Sequence, residues 1–273
     1  LGPESYAMYG HTGIRIQDRI YGIDVVHNYG AFDFSTPNFI GRFIKGDLQY
    51  FVTDGSFIDF YYNYQAENRE IIEQELQLNP TQINTLLEQL NHSVYSDERF
   101  YTYKFIDRNC TTMVVDKING ILGKEAIKSD TSNQAYREIL YPYMSDLYMK
   151  LGIQLIFGTK VDEPATRLFL PYEFKDAISA TKVNGNTIEK SNSKILQVTK
   201  PEIPFNWLNS IYSLITVLLI LALLNKKWIK ISYFIFAGLL GLFFSLVGLY
   251  SLHEEILWNY NILLFNPLLL VFA

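Results

Sequence analysis

The chain contains one cysteine, Cys110, and its neighbours favour a nucleophile over an inert thiol. It stands in the stretch FIDRNCTTMVVDK, between the polar residues Asn109 and Thr111 and ahead of an apolar helical pattern. A lone cysteine is by default a small buried hydrophobic residue. At the first turn of a helix, however, free backbone N–H groups and the positive end of the dipole stabilise a thiolate. The same N–H groups could hold a developing oxyanion, so this position makes Cys110 a candidate nucleophile.

A thiolate nucleophile needs a base, and four histidines are available. His92 follows a predicted helix and is expected to be solvated, while His253 lies beyond the second of two apolar runs. His11 and His27 lie on neighbouring predicted strands. The small residues of the stretch GHTG leave room beside His11 for a thiol or a substrate. Spacing alone therefore indicates a candidate Cys110–His11 pair, with a locally bonded strand-edge histidine as the alternative.

The elements that must position these residues include several strands. Alternation of apolar and polar residues predicts strands at 10–16, 21–30, 48–54 and 100–105. Extended structure is also predicted for 58–67 and 68–78, a loop with a short helix for 32–46, and a hairpin for 181–201.

Two helices in the same region have recognisable ends. One should begin at the N-cap Asn79, with Pro80 in its first turn, and continue to about residue 91. The other should begin at Cys110 and end at Gly120, a residue type typical of helix ends. The second helix is the one that would present the nucleophile.

Composition excludes several classes of function. The net charge of -5 over 273 residues, without a basic stripe, argues against a nucleic-acid-binding protein. A single cysteine excludes an intrachain disulfide. The sequence has no P-loop, GxGxxG, HxxxH or CxxC pattern, so no cofactor and no metal are predicted. It begins at Leu1 without an initiator methionine, and we expect that a leader has been removed or left out.

The C-terminal part is predicted to lie in a membrane. Residues 207–224 and 231–252 are two nearly uncharged runs, each long enough to span a bilayer. A buried helical hairpin in a soluble core is the alternative, and the near absence of charge disfavours it. A third helix is predicted to begin near 261. We therefore expect an extracytoplasmic catalytic domain over 1–204 and transmembrane helices over 205–273.

Charged and polar residues beside these runs predict orientation and packing. The lysines of KKWIK (226–230) fall in the connection between the two runs, which the positive-inside rule places in the cytoplasm. The N-terminal domain then lies outside the cytoplasm. Residues 253–255 (HEE) are expected in a solvated loop. Asparagines between 259 and 266 stand in an apolar segment, which indicates helix packing or a polar site.

Five segments occur in an order that carries a family resemblance: MYGHTGIRI, VVHNYGAFDF, YKFIDRNCTT, LGIQLIFGTKVD and LFLPYEF, with the apolar runs after them. Their GHxxxR, NYGxFDF and NCTT elements are specific as a set. Over nearly its whole length the chain resembles the bacterial Lnb-type lipoprotein N-acyltransferases. The resemblance implies an α+β fold, in which a permuted papain-like (NlpC/P60-like) cysteine domain is followed by transmembrane α-helices.

The resemblance also implies an activity, its partners and its location. Cys110 in the NCTT element would be the nucleophile, and His11 in the GH element would be its base. The enzyme would take an acyl chain from a phospholipid as a Cys110 thioester and place it on the N-terminal cysteine amine of a diacylated lipoprotein. Its partners would be the phospholipid, that lipoprotein and the lipid bilayer. It would be a multi-pass protein of the bacterial inner (cytoplasmic) membrane, with the catalytic domain on the periplasmic side.

Further residues are candidates for support of the catalytic pair. The order of a histidine strand before a cysteine helix also resembles lecithin retinol acyltransferase-like enzymes, in which a second histidine orients the first. His27 stands where the family is expected to have a tyrosine, so it either orients His11 or fills that place, and both interpretations stay open. The remaining candidates, which either support the reaction or only shape the chain, are Asn28, Tyr29, Asp33, Asn109, Thr111 and, more weakly, Arg137 and Asp162.

Two other functions would use the same residues differently. A membrane-anchored papain-like cysteine peptidase or amidase acting on cell-wall peptides would share the Cys110–His11 pair, but it needs at most one membrane anchor. A non-catalytic membrane receptor domain would carry Cys110 incidentally, so Cys110→Ser would leave its function intact. The prediction of two or more membrane helices favours the lipid-directed enzyme.

Overall fold

The structure is a computed structural model that describes residues 8–123, 126–128, 133–144, 146–199 and 204–273. The chain divides into two compact units. The first comprises 1–133 and 165–200, and the second comprises 134–164 and 201–273. The segment 134–164 is therefore grouped with the apolar C-terminal part of the chain.

A four-stranded antiparallel sheet is the main sheet of the first unit. Its strands are β1 (Gly13–Asp18), β2 (Ile23–Ala31), β3 (Gln49–Ser56) and β5 (Phe100–Thr102), in the order β1-β2-β3-β5. A second sheet pairs β4 (Ile71–Leu76) with β8 (Glu189–Leu196), and β6 (Lys182–Val183) pairs with β7 (Asn186–Thr187). The four strands predicted for the main sheet are confirmed, as are the strand within 68–78 and the turn within 181–201.

Nine helices follow one another along the described ranges. They are α1 (Phe39–Lys45), α2 (Phe57–Ala66), α3 (Pro80–Tyr95), α4 (Cys110–Leu122), α5 (Tyr136–Leu140), α6 (Leu147–Ile156), α7 (Pro171–Ala180), α8 (Ile211–Leu224) and α9 (Lys227–Tyr250). The structure is thus mixed α and β, as predicted. The first unit contains α1 to α4 and α7, and the second contains α5, α6, α8 and α9.

The core of the first unit fixes α4 against the main sheet. Helices α3 and α4 pack on each other, and α4 also contacts β1 and β2. The buried faces include Leu86 and Leu90 of α3 and Val114 and Ile118 of α4, which are spaced four residues apart and so share one side of each helix. Tyr29 of β2 is fully buried in the same core. This packing holds the first turn of α4 near β2, which carries His27 and Asn28, and near β1, which begins at Gly13 just after His11.

The start of α3 confirms the predicted capping signal. The side chain of Asn79 accepts a hydrogen bond from the backbone N–H of Gln82 at 2.9 Å. The Gln82 side chain accepts one from the backbone N–H of Asn79, also at 2.9 Å, so the two residues form a capping box. The helix continues to Tyr95, four residues beyond the predicted end.

The extended structure predicted for 58–67 is wrong, because these residues form α2. Ser56 caps the helix, and its hydroxyl accepts from the backbone N–H of Asp59 at 3.2 Å. Aromatic side chains four residues apart stack along it, with the ring centroids of Phe60 and Tyr64 separated by 4.2 Å. A run of phenylalanines and tyrosines favours a strand by intrinsic preference. Here the cap and the i,i+4 ring contacts outweigh that preference.

The end predicted for α4 at Gly120 is also wrong. The helix continues to Leu122, and Gly123 follows it with φ of 105°. Glycine adopts positive φ without steric cost, so Gly123 is the position at which the chain leaves the helix. Gly120 lies inside the helix.

The second unit contains the long apolar helices. Helix α9 has 24 residues, and it is the one helix of the described ranges that is long and apolar enough to cross a membrane. At 1.5 Å per residue it extends about 36 Å, against a hydrocarbon thickness of about 30 Å. Helix α8 has 14 residues, because the start of the predicted run 207–224 is a separate 3₁₀ turn, Trp207–Asn209.

The predicted lysine loop between these helices is shorter than expected. Lys226 is the N-cap of α9, and Lys227 and Lys230 lie in its first turn. The positive end of the helix dipole disfavours cations here, but the lysines are exposed, so water screens this effect. The helix therefore begins inside the basic segment that the sequence suggested as a loop.

The third helix predicted to begin near 261 is not formed. The described chain makes two short 3₁₀ segments there, Tyr260–Leu263 and Pro267–Phe272. Between them the Asn266 side chain accepts from the backbone N–H of Leu268 at 2.9 Å and starts a new turn. The proline after Asn266 has no N–H with which to continue the preceding turn.

The asparagines of this segment serve helix packing, as predicted. The Asn259 amide donates to the backbone carbonyls of Leu155 and Ile156 at 2.7 and 3.1 Å. The Asn261 amide donates to Leu155 at 2.9 Å. These bonds satisfy carbonyls that the C-terminus of α6 leaves without intrahelical partners. The solvated loop predicted for 253–255 is wrong for Glu255, which is 2% exposed.

Candidate active site

The start of α4 holds Cys110 at its first helical position, as the sequence predicts. Asn109 is the N-cap, and its Oδ1 accepts from the backbone N–H of Thr112 at 2.9 Å. The Thr112 hydroxyl in turn accepts from the backbone N–H of Asn109 at 2.8 Å, which completes a capping box. Helix geometry gives the N–H groups of Cys110 and Thr111 no intrahelical partners, and they form the positive end of the helix dipole.

Asn109 anchors this helix start to two loops. Its amide nitrogen donates to the backbone carbonyls of Phe105 at 2.7 Å and Phe169 at 2.8 Å. The side chain is 3% exposed, so these bonds are shielded from water. Asn109 therefore positions Cys110 through the backbone. Its amide oxygen and its amide nitrogen both form the hydrogen bonds that hold the helix start.

His11 is oriented by Asn28, one of the candidates from the NYGxFDF element. The His11 Nε2 atom lies 3.0 Å from the Asn28 Oδ1 atom. The Asn28 amide nitrogen donates to the Val26 carbonyl at 3.4 Å, which agrees with an oxygen directed at the imidazole. An amide oxygen only accepts, so Nε2 carries a hydrogen and Nδ1 is left for another partner.

The Cys110 thiol is the neighbouring group that acts on the pKa of His11, through its charge and through a side-chain interaction. Burial by itself would lower the pKa of His11, but the charge of Cys110 and the bonds to Cys110 and Asn28 raise it overall. Burial would likewise raise the pKa of Cys110, but the charge and hydrogen bond of His11 lower it overall. The two shifts have opposite signs, as expected where each group favours the charged form of the other. Neither side chain is fully buried, so a substrate can approach.

Two threonines tie the histidine strand to the cysteine helix. The hydroxyls of Thr12 and Thr111 are 2.9 Å apart, and Thr111 is fully buried. The backbone N–H of Thr12 and the hydroxyl of Thr111 also bond to the Cys110 sulfur and help to lower its pKa. The distance from the sulfur to the Thr111 hydroxyl is 4.0 Å. Thr111 therefore lies beside the Cys110 sulfur, and its role in catalysis stays a prediction.

A bulge in β2 brings the backbone close to Cys110. Gly30 has φ of 99°, and the pairing of β2 with β3 shifts register between Tyr29 and Ala31. A Cβ atom on Gly30 would lie 3.8 Å from the Cβ of Cys110 and 3.9 Å from the hydroxyl of Tyr101. Glycine permits this backbone conformation and leaves the space between the two side chains open.

Tyr101 faces this space and was not identified from the sequence. It is 3% exposed, and its hydroxyl has no hydrogen-bond partner among the described residues. Burial and the charge of Cys110 raise the pKa of Tyr101, so the hydroxyl keeps its proton and remains a donor. The alternation in FYTYKF predicted a strand, but it did not indicate which tyrosine faces the cysteine.

Three other candidates lie elsewhere. His27 is 5% exposed, bonds to the backbone of β1, and has a pKa lowered by burial. Strand alternation places it on the face of β2 opposite Asn28. Tyr29 is fully buried in the core, and Asp33 is exposed and accepts from the Ser35 hydroxyl at 2.7 Å. The structure therefore brings Asn28 to the Cys–His pair, but not these three residues.

The two weaker candidates belong to the second unit and pair with each other. The Arg137 Nε atom lies 2.5 Å from the Asp162 Oδ1 atom. Arg137 also donates to the side chain of Gln154 at 2.6 Å. These bonds join α5 to α6 and to the turn that contains Asp162, which is a structural role.

The first unit is thus an α+β domain in which a helix start supplies the Cys110 thiol, one strand region supplies His11 and the neighbouring strand supplies Asn28. Residues 2–142 match the family model of the Lnb N-terminal periplasmic domain, and the match includes all three of these residues. The chain belongs to this family, which confirms the resemblance to Lnb-type proteins. Neither a curated protein nor a solved structure matches the chain. The family description implies a membrane protein with a periplasmic domain, and α9 is suited to cross a membrane.

Proposed function

We propose that this protein is an acyltransferase that moves an acyl chain from a phospholipid to the N-terminal cysteine amine of a diacylated lipoprotein. The observation that carries the proposal is the Cys110–His11–Asn28 arrangement at the start of α4, in a chain of the Lnb family. The fold that suits it is a permuted papain-like one, with the histidine strand before the cysteine helix. The acyl chain would be held between the two steps as a thioester on Cys110.

In the first step the Cys110 thiolate attacks the carbonyl carbon of a phospholipid ester. A carbon–sulfur bond forms, and the carbonyl oxygen becomes an oxyanion. The backbone N–H groups of Cys110 and Thr111 and the hydroxyl of Tyr101 are the donors near this oxygen. The carbon–oxygen bond of the ester then breaks, and the His11 imidazolium gives its proton to the departing glycerol oxygen. A lysophospholipid leaves, and the acyl chain remains on sulfur.

In the second step the neutral amine of the lipoprotein attacks the thioester carbonyl. A carbon–nitrogen bond forms while the carbon–sulfur bond breaks, and His11 accepts the proton that the amine releases. The products are an amide and the original thiolate–imidazolium pair. A thioester reacts readily with amines, and exclusion of water from the site would limit its loss by hydrolysis.

The same proposal places the protein in the bacterial inner membrane with its N-terminal domain, residues 1–204, on the periplasmic side. Helix α9 would cross the bilayer, and α8 would be a second membrane helix. The lysines from 226 to 230 would then lie on the cytoplasmic side, in agreement with the positive-inside rule. Both substrates are lipids, so a site of this kind needs to work at the membrane surface.

The test uses the full chain in detergent with a phospholipid of defined acyl chains and a synthetic diacylated lipopeptide. Mass spectrometry should show that the lipopeptide gains one acyl chain and that the enzyme alone gains the same mass on Cys110. Cys110→Ala should abolish both gains. If the wild-type enzyme forms no acyl adduct and the lipopeptide mass stays constant, the proposal is wrong. Cleavage of a cell-wall peptide under the same conditions would instead support the peptidase or amidase.

A further inference from the structure

Arg69 is a charged side chain close to the candidate site, and the two steps described above do not use it. It is 8% exposed, and its guanidinium lies 4.2 Å from the centre of the Tyr64 ring. One terminal nitrogen donates to Glu67 at 2.9 Å. Its Nε atom is buried and has no hydrogen-bond partner among the described residues. A buried donor of this kind is costly to leave unpaired, so the atom requires an explanation.

The chain between α2 and β4 holds Arg69 in this position. Asn68 adopts a left-handed conformation with φ of 51°, and the backbone N–H of Arg69 donates to the Tyr64 carbonyl at 2.8 Å. The chain therefore folds back against the end of α2 before β4 begins. Sequence patterns gave no sign of this turn, because they predicted extended structure for both 58–67 and 68–78.

Helix α2 and the catalytic helix share a neighbouring strand. Both α2 and α4 pack against β2, the strand that carries Asn28 and Gly30. The electrostatics agree with this proximity. Burial lowers the pKa of His11 and Cys110 raises it. The positive charge of Arg69 also lowers the pKa of His11. Burial raises the pKa of Tyr64 to about 12, and the charge of Cys110 contributes to that increase.

One edge of the Arg69 guanidinium is unpaired among the described residues and can donate to two oxygens of an anion. Glu67 occupies one terminal nitrogen, which leaves the edge formed by Nε and the other terminal nitrogen without a bonded partner in the described structure. This planar edge has the geometry that binds phosphate through two parallel hydrogen bonds. Glu67 does not neutralise the site fully, because its side chain is 51% exposed and its charge is screened by water.

The proposed acyl donor carries an anion of this kind. In a glycerophospholipid, only a few covalent bonds separate the phosphate from the ester carbonyls. The diacylglyceryl group of the proposed acceptor carries no phosphate.

We infer that Arg69, supported by the Tyr64 ring, forms the subsite for the phosphate group of the acyl-donor phospholipid. This inference rests on the proposed function of Cys110. The subsite distinguishes the two substrates, because the donor has a phosphate and the acceptor does not. Arg69 therefore serves the first half of the reaction and leaves the second half unaffected.

A binding measurement tests the subsite without any chemistry. The full chain with Cys110→Ala is titrated with sn-glycero-3-phosphoethanolamine by calorimetry, and then with inorganic phosphate. We expect Arg69→Gln to weaken binding of the glycerophosphodiester about 10- to 100-fold, which is the loss of charged hydrogen bonds. The matched control is Arg99→Gln, because Arg99 also lies over an aromatic ring, that of Phe51. Equal binding by the Arg69→Gln and control proteins, or binding of inorganic phosphate alone, would overturn the inference.

A kinetic measurement separates this inference from the proposed function. Acylation of Cys110 is followed by intact mass with a short-chain phosphatidylethanolamine and with p-nitrophenyl octanoate, which has no phosphate. Arg69→Gln should slow only the phospholipid reaction, again about 10- to 100-fold, and Arg69→Lys should recover part of the rate. Transfer from a preformed acyl-enzyme to the lipopeptide should be unchanged. Equal slowing with both donors would assign Arg69 a structural role, whereas absence of acylation in the wild type would refute the acyltransferase itself.

Discussion

The bond between Asn28 and His11 makes a measurable prediction about the cysteine. Replacing Asn28 by alanine removes the acceptor that lies 3.0 Å from His11 Nε2. The imidazolium loses a favourable partner, so the pKa of His11 falls. Cys110 then has a less strongly charged neighbour, and the pKa of its thiol rises. The pH profile for thiolate formation should therefore move to higher pH.

The magnitude follows from the hydrogen bond. A bond to a charged group contributes about 1.5–3 kcal/mol, and solvent at this partly exposed site favours the lower half of that range. Because about 1.4 kcal/mol corresponds to a factor of ten, we expect acylation of Cys110 by phospholipid to slow about 10- to 30-fold. The Asn28→Asp protein should shift the thiolate profile to lower pH, because a carboxylate favours the imidazolium.

The assay is alkylation of the protein with iodoacetamide, followed by intact mass from acidic to alkaline pH. Cys110 is the only cysteine, so every adduct on sulfur reports this site. The control is Asn192→Ala, which alters an exposed asparagine of β8. An Asn28→Ala profile that coincides with the control, or one that moves to lower pH, would refute the role assigned to Asn28.

Gly13 provides an independent check of the same geometry. A Cβ atom at Gly13 would lie 3.0 Å from the Oδ1 atom of Asn28, so Gly13→Ala should displace the amide from His11. The alkylation profile should move in the same direction as in Asn28→Ala. The double substitution should add little to either single one, because both act through one hydrogen bond.

The remaining predictions concern the other groups around Cys110. Tyr101→Phe should leave the melting temperature nearly unchanged, because the hydroxyl has no partner among the described residues, and it should slow acylation about 100- to 1,000-fold if that hydroxyl binds the oxyanion. Gly30→Ala should destabilise the first unit by about 1–3 kcal/mol in thermal unfolding, because alanine is strained at φ of 99°. Asn109→Ala should cost about 2–4 kcal/mol, since it removes a helix cap and leaves two buried carbonyls unpaired. Stability equal to wild type in the last two proteins would contradict these roles.

The positions of the two candidate residues, Cys110 and His11, could largely be predicted because their signals are local. The polar NCTT element marks a helix start, and the cap that forms there uses only residues 109 to 112. The small residues around His11 likewise indicate a position with room for a neighbouring thiol. The choice among Asn28, Tyr29 and Asp33 was not local, because it depends on which of them lies beside His11. The register between β1 and β2 fixes this by pairing Asn28 with Gly13, and the sequence of one strand does not determine its register with the next.

The wrong predictions of secondary structure have the same origin. Aromatic residues from 57 to 66 satisfy both a strand preference and a helix with stacked rings, and the Ser56 cap favours the helix. In the second unit, hydropathy locates apolar runs correctly but does not determine where a helix begins. A 3₁₀ turn interrupts residues 207–224. The amides of Asn259 and Asn261 donate to a backbone carbonyl at the end of α6. The sequence did not indicate Arg69 or Tyr101, because each is distinguished only by a buried polar atom that has no hydrogen-bond partner among the described residues.

A neutral partner for His11 suits a reaction that must move a proton twice. A carboxylate in place of Asn28 would favour the imidazolium and hold the proton that the departing glycerol oxygen needs. Asn28 fixes the ring orientation and the tautomer without adding a charge. The negative charge that raises the pKa of His11 belongs to Cys110 itself, and in the proposed reaction it disappears when the thiolate attacks and becomes a thioester. At that moment the pKa of His11 falls, so the imidazolium becomes a better acid at the step that requires one.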